Sequence, residues 1–226
     1  MDNSDNIVKK PDCILVLCAH NDDQIIGVGG TLAKYAKENK KIITVVFSYG
    51  AFSHPHFKKK VIIETRVKES HSANKIICGD NSEIIYLGLT EGKFTEQINE
   101  KNLSEKIQKI ITEEKPLKIF THSIDDPHPD HQAVYNYVLA LFDNIKYPGE
   151  LYSFNVWNFF FNFRSRNVPR LVVDISDTFK LKIKAFERHK SQWLVIWQFK
   201  WNVYLQGIIS GLKFRVKYAE VFYKIR

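Results

Sequence analysis

Apolar and polar positions along the chain fall into blocks of two kinds. Cys13-Ile14-Leu15-Val16-Leu17-Cys18-Ala19 is an unbroken apolar run bounded by polar residues, the pattern of a strand covered on both faces of a parallel sheet. After it Ile25, Ile26, Leu32, Ala33 and Ala36 recur at helical spacing, and Gly27, Gly29 and Gly30 allow that helix to pack close to the sheet. The same order returns later. Leu117–Thr121 reads as a short strand, the polar stretch from His122 to Asp130 as a loop, and Gln132–Phe142 as a helix carrying Val134, Tyr137, Val138 and Leu141. A further strand is predicted over Leu151–Val156. Strands alternating with helices predict an α/β fold, a Rossmann-like, mostly parallel sheet with helices on both faces. No Gly/Ser-rich or Pro-rich linker and no repeat interrupts the 226 residues, so a single domain over 1–226 is expected.

Ligands in open α/β sheets bind outside the carboxyl ends of the strands. Both polar segments, Ala19-His20-Asn21-Asp22-Asp23-Gln24 and Asp126-Pro127-His128-Pro129-Asp130-His131, fall there. Taken alone, Asp22-Asp23 reads as a helix N-cap pair and His128–His131 as a turn. Two His/Asp clusters at two strand ends, separated by a βαβαβ-sized stretch, instead point to one metal centre in two halves. A catalytic zinc takes three protein ligands and keeps one position open. His20, Asp23 and His131 supply two imidazoles and a carboxylate, which leaves Asp22 as general base. His128, three residues before His131, faces the same substrate from the other side, with Asp130 orienting and charging its ring.

These motifs resemble the PIG-L/LmbE-type zinc-dependent N-deacetylases, whose signatures are Ala-His-Pro-Asp-Asp-Glu and His-Pro-Asp-His. The resemblance extends through Gly27–Leu32, Phe47–Gly50, the Arg66-Val67-Lys68-Glu69 helix with Ala73, the Lys184–Gln192 segment with its His189-Lys190-Ser191-Gln192 end, and Tyr218–Phe222. It implies the fold inferred above, His20, Asp23 and His131 as ligands of one Zn2+ or another divalent ion, and Asp22 as base. It also implies His128, partnered by Asp130, as the group that holds the oxyanion or protonates the amine, and Arg66 and His189 as substrate-binding residues. The implied activity is removal of the acetyl group from a small-molecule N-acetylglucosamine-type conjugate. A conjugate amidase acting on a larger acyl amide and a non-catalytic carbohydrate- or lipid-headgroup-binding relative stay open. Two positions depart from the pattern. Asn21 stands for the usual Pro and serves a turn equally well. Gln24 stands for the usual Glu and removes a carboxylate from the neighbourhood of the metal.

Composition narrows the picture. A hydrophobic content of 44% in 226 residues suffices for a full core. Cys13, Cys18 and Cys78 lack metal or disulfide spacing and read as core residues of a reduced, cytoplasmic protein, and the polar start Met1–Asp5 predicts no signal peptide. The formal charge of +8 invites nucleic acid as a partner, but no recognised nucleic-acid module is present, so none is expected. No transmembrane segment is expected either. Trp193, Trp197, Trp201 and Tyr204 would form one stripe of a helix, read first as core or subunit interface in a homo-oligomer, with a sugar-stacking wall or a peripheral lipid contact as alternatives. The aromatic run Trp157–Phe163 near the expected rim reads as a lid or an oligomer contact.

Overall fold

The computed structural model describes residues 11–52, 58–100, 103–157 and 168–226. Strand β1 (Cys13–Cys18) is buried throughout, as its unbroken apolar run requires. It sits in the middle of a seven-stranded sheet with β2 (Lys41–Ser48), β3 (Ser82–Leu89), β4 (Lys118–His122), β5 (Glu150–Phe154), β6 (Arg170–Asp174) and β7 (Ala219–Lys224), in the order β3-β2-β1-β4-β5-β7-β6. Pairings among β1 to β5 are parallel, and β7 runs antiparallel between β5 and β6. The sheet is therefore mostly parallel and of Rossmann type.

Alternation along the strands divides the interior into two layers. Ile14, Val16 and Cys18 face α1 (Asp23–Lys37), α2 (Lys59–Cys78), α6 (Phe179–Phe186) and the inner side of α7 (Trp193–Phe214). Cys13, Leu15 and Leu17 face α3 (Phe94–Glu100), α4 (Leu103–Glu114) and α5 (Pro129–Ile145). The period of two in a strand puts neighbouring residues in opposite layers, so one six-residue strand anchors both cores.

Chain direction reverses between β1 and β4. From β1 the chain proceeds outward to β2 and β3, and from β4 in the opposite sense to β5. The loops leaving β1 and β4 thus part at the switch point, opening a crevice above two adjacent strands. Helix α5 begins at Pro129, three residues before the expected Gln132. Proline at the first helical position needs no N–H partner there, and the His128 ring caps the turn by accepting the Asp130 N–H. His131 therefore sits on the first turn of a helix rather than in a loop.

Helix α1 is pinned to β7, next to the edge strand β6, by a buried ion pair. Glu220 on β7 accepts hydrogen bonds from the Gly30 and Thr31 N–H groups at 3.0 and 2.8 Å and from Lys182 Nζ at 2.6 Å. A side chain at position 30 would strike Ile175, which a Cβ would meet at 2.7 Å. Breaking a buried pair leaves an uncompensated charge. Lys182→Met is therefore expected to lower the unfolding free energy by about 3 kcal/mol in chemical denaturation, with Lys182→Met/Glu220→Leu recovering part of the loss.

Candidate active site

The two polar segments meet where β1 and β4 end. Asp22 occupies the N-cap of α1, but its carboxylate does not cap the helix; Oδ1 lies 3.5 Å from Arg66 Nη2 on α2. Asp23, in the first turn, turns back and accepts the His20 N–H on Oδ2 at 2.7 Å. One residue of helical rotation sends adjacent carboxylates to different partners. Arg66 is itself fixed by donating to the Gly50 carbonyl at 3.2 Å, which the positive φ of Gly50 (72°) presents to it.

His20 Nδ1, His131 Nε2 and the Asp23 carboxylate form a closed triangle. Its edges are 3.3 Å (His20 Nδ1 to His131 Nε2), 3.4 Å (His20 Nδ1 to Asp23 Oδ2) and 3.4 Å (His131 Nε2 to Asp23 Oδ1). Ligand bonds of about 2.0–2.2 Å in a tetrahedral centre require edges of roughly 3.3–3.6 Å, so the donor set fits a zinc-sized divalent ion. The far nitrogen of each ring meets a carboxylate: His20 Nε2 is 3.2 Å from Asp130 Oδ2, and His131 Nδ1 is 3.0 Å from Asp126 Oδ1. Such outer carboxylates fix ring orientation and raise ligand basicity. Asp130 therefore serves His20 rather than the His128 ring, which touches only its main-chain N–H. Its other oxygen accepts the Gly92 N–H at 2.9 Å.

Electrostatics follow from this packing. Burial alone would lower the pKa of His20, but the hydrogen bonds to Asp130 and Asp23 outweigh it and raise it to about 10. His131 is likewise lifted to about 9, because Asp23 and Asp126 overcome burial. Burial opposes ionisation of Asp126, yet His131 and His122 hold its carboxyl at about 2. His128 moves the other way, lowered by burial and by the neighbouring His131 and His20. With Nδ1 accepting from the Asp130 main chain, the neutral His128 ring keeps its proton on Nε2.

The described side chains enclose a cavity of about 130 Å³ beside the triangle, with Asp22, Arg66, His128 and Trp157 in its wall. His189 does not line it. Its ring is buried without a hydrogen-bond partner, and burial pulls its pKa to about 4. Gln24 is also turned away, donating to the Asn21 carbonyl at 3.1 Å and facing Cys18 Sγ. Asn21 takes the place of proline by tying the loop to the Tyr49 carbonyl at 3.2 Å. Of the aromatic run, Trp157 reaches the cavity and packs edge-on against Phe199, with ring centroids 4.6 Å apart; residues 158–163 lie outside the described residues.

Three residues of the site were not singled out from the sequence. Asp126 links three segments, accepting the His128, Val156 and Trp157 N–H groups in addition to its contact with His131. His122, at the end of β4, accepts the Ala19 N–H on Nε2 at 2.9 Å and stacks on His131 at 3.9 Å. Burial, reinforced by His131, lowers its pKa to about 4. Glu91, from the turn after β3, lines the cavity with Oε1 3.9 Å from His20 Nε2. Asp126 stands in the second polar segment, five residues before His131, which was a signal for the first; Glu91 carried none.

Fold and site together define an α/β protein with a His-Asp-His centre at the switch point of its sheet. The profile of the PIG-L family, described as GlcNAc-PI de-N-acetylase, matches residues 15–142, and the chain belongs to that family. It is 25% identical to the diacetylchitobiose deacetylase of Thermococcus kodakarensis, over 90% of this chain and 77% of that protein. The N,N'-diacetylchitobiose deacetylase structure from Pyrococcus horikoshii superimposes with a TM-score of 0.75 at 24% identity, covering 98% of this chain and 86% of that one. The 4-carboxy-2-hydroxymuconate hydratase of Pseudomonas putida also shares the fold, with a TM-score of 0.77 at 15% identity over 95% and 96% of the two chains. The fold thus carries more than one chemistry, and the reaction has to be argued from the site.

Two outcomes are expected. Purified protein should bind close to one divalent ion per chain after zinc reconstitution, and His131→Ala should abolish this in metal analysis. Asp126→Asn should keep that stoichiometry while weakening affinity about 10–100-fold in a competitive chelator titration, since the side chain orients the His131 ring without belonging to the donor triangle.

Proposed function

We propose that the protein is a metal-dependent N-deacetylase that hydrolyses the acetamide of an N-acetylglucosamine-type amino sugar. The observation that carries this reading is the pairing of a closed His20–Asp23–His131 donor triangle with a neighbouring carboxylate, Asp22, that stays outside it and faces the cavity. Zinc is the ion the donors suit best; when bound, it supplies Lewis acidity that polarises an amide carbonyl and acidifies water.

The remaining steps belong to the chain's own side chains. Asp22 accepts the proton of the attacking water, and Arg66 beside it holds the carboxylate in place. His128, neutral and protonated on Nε2, donates a hydrogen bond to the oxygen of the tetrahedral species as negative charge develops there. Asp22 then returns its proton to the departing amine, which completes hydrolysis to acetate and a free amino sugar. Since the His128 pKa is lowered, its ring is a hydrogen-bond donor at neutral pH rather than a cationic acid, which gives the proton shuttle to Asp22. The position of Gln24 speaks against a merely binding relative, because the departure from the family pattern touches none of the three donors.

Asp22→Asn should reduce kcat at least about a hundredfold while metal occupancy stays near wild type, since general base catalysis contributes ~10²–10⁴-fold. Asp23→Asn should lose metal affinity as well as rate. Parallel zinc titration and amine-release assays on N-acetylglucosamine conjugates separate the two; an Asp22→Asn protein with wild-type turnover would refute the assigned base. Gln24→Glu should alter turnover by less than roughly tenfold, about 1.4 kcal/mol of barrier. A gain of several orders of magnitude in the same assay would instead indicate that Gln24 had disabled the enzyme.

A further inference from the structure

Helix α7 is apolar on two opposite sides. Its inner side places Phe199 and Val203 in the core. Its outer side carries Trp193, Trp197 and Trp201, which are 63%, 70% and 75% exposed, continued by the exposed Leu205, Ile208 and Leu212. At about 100° per residue these six side chains fall within roughly one third of the helix circumference, and the 22-residue helix extends them along about 33 Å. A helix that is apolar all round is normally enclosed. Here the three tryptophans are largely exposed rather than in the core, whereas Tyr204 packs inward against Phe179.

The charge around the stripe selects what would cover it. From Arg188 to Ala219 the sequence holds six basic residues, Arg188, Lys190, Lys200, Lys213, Arg215 and Lys217, and no Asp or Glu. Lys200 pairs with Glu187 at 2.6 Å, while the other five are exposed and cluster at the two ends of the helix. A second copy seated face to face across a twofold axis would bring these cations towards one another. An anionic lipid surface complements both features, since tryptophan rings settle at the headgroup level and Lys and Arg meet the phosphate layer. No helix among the described residues is long and apolar enough to cross a membrane, which fits a helix that lies on one.

We propose that the outer face of α7 is a peripheral docking surface for anionic membranes. The inference is independent of the reaction proposed above, because none of the six apolar side chains lines the catalytic cavity.

The test is co-sedimentation of the full-length, zinc-loaded protein with phosphatidylglycerol–phosphatidylcholine vesicles and with pure phosphatidylcholine vesicles, together with intrinsic tryptophan fluorescence. Partitioning should be at least about tenfold stronger on the anionic vesicles, should weaken as salt is raised, and should shift the emission to the blue. Trp197→Ser/Trp201→Ser should lose at least about tenfold of that partitioning while retaining the zinc stoichiometry and circular dichroism of the wild type. Absence of partitioning by wild type, or partitioning that the double substitution leaves unchanged, would overturn the proposal. So would a dimer in sedimentation velocity that the same double substitution dissociates, which would assign the face to a second copy of the chain.

Discussion

The carboxylate of Asp23 is buried within hydrogen-bond or ion-pair reach of the His20 N–H and of three imidazoles, those of His20, His122 and His131. Burial opposes its ionisation, yet His131 and His122 hold its pKa well below the ordinary value. A buried anion of this kind persists only where positive charge or N–H donors surround it. Asp23 itself starts α1, and its neighbours come from the loop after β1, the end of β4 and the first turn of α5. Their positions are therefore mutually dependent, and the crevice at the switch point is closed around one charge.

That dependence extends outward through two more carboxylates. Asp130 holds His20 and the Gly92 turn, and Asp126 holds His131 and the main chain at Val156 and Trp157. These loops are tied to the His20 and His131 rings, so each imidazole is presented with its orientation set beforehand. Asp22 stands apart from this network. Its partner is Arg66 on α2, which leaves it a carboxylate beside the donors without being one of them. One residue along a helix start thus separates a carboxylate inside the donor triangle from one outside it that faces Arg66.

Helix α7 connects the interior to the surface in another way. Phe199 faces inward against Trp157, and the outer tryptophans lie on the opposite side of the same helix. Sequence periodicity showed a stripe at 193, 197, 201 and 204 but could not show which way it pointed, because both sides of the helix are apolar. Burial decided it. Asp130 illustrates the same limit: its place in the His-Pro-Asp-His motif suggested the adjacent His128, whereas the first turn of α5 directs its carboxylate to His20, 110 residues away in sequence.

The sequence by itself determined the alternation of strands and helices, the double-sided burial of β1, and the location of two His/Asp clusters at strand ends. Each depends on local periodicity and on residue types adjacent in the chain. It also brought His20, Asp23 and His131 forward as a candidate donor set. Only the tertiary structure decided that the three candidate donors close at 3.3–3.4 Å, that Asp126 and Asp130 meet the His131 and His20 rings, and that His122 and Glu91 join them. Those relations join residues far apart in the chain, and the packing of loops around a buried charge leaves no periodic trace in the sequence.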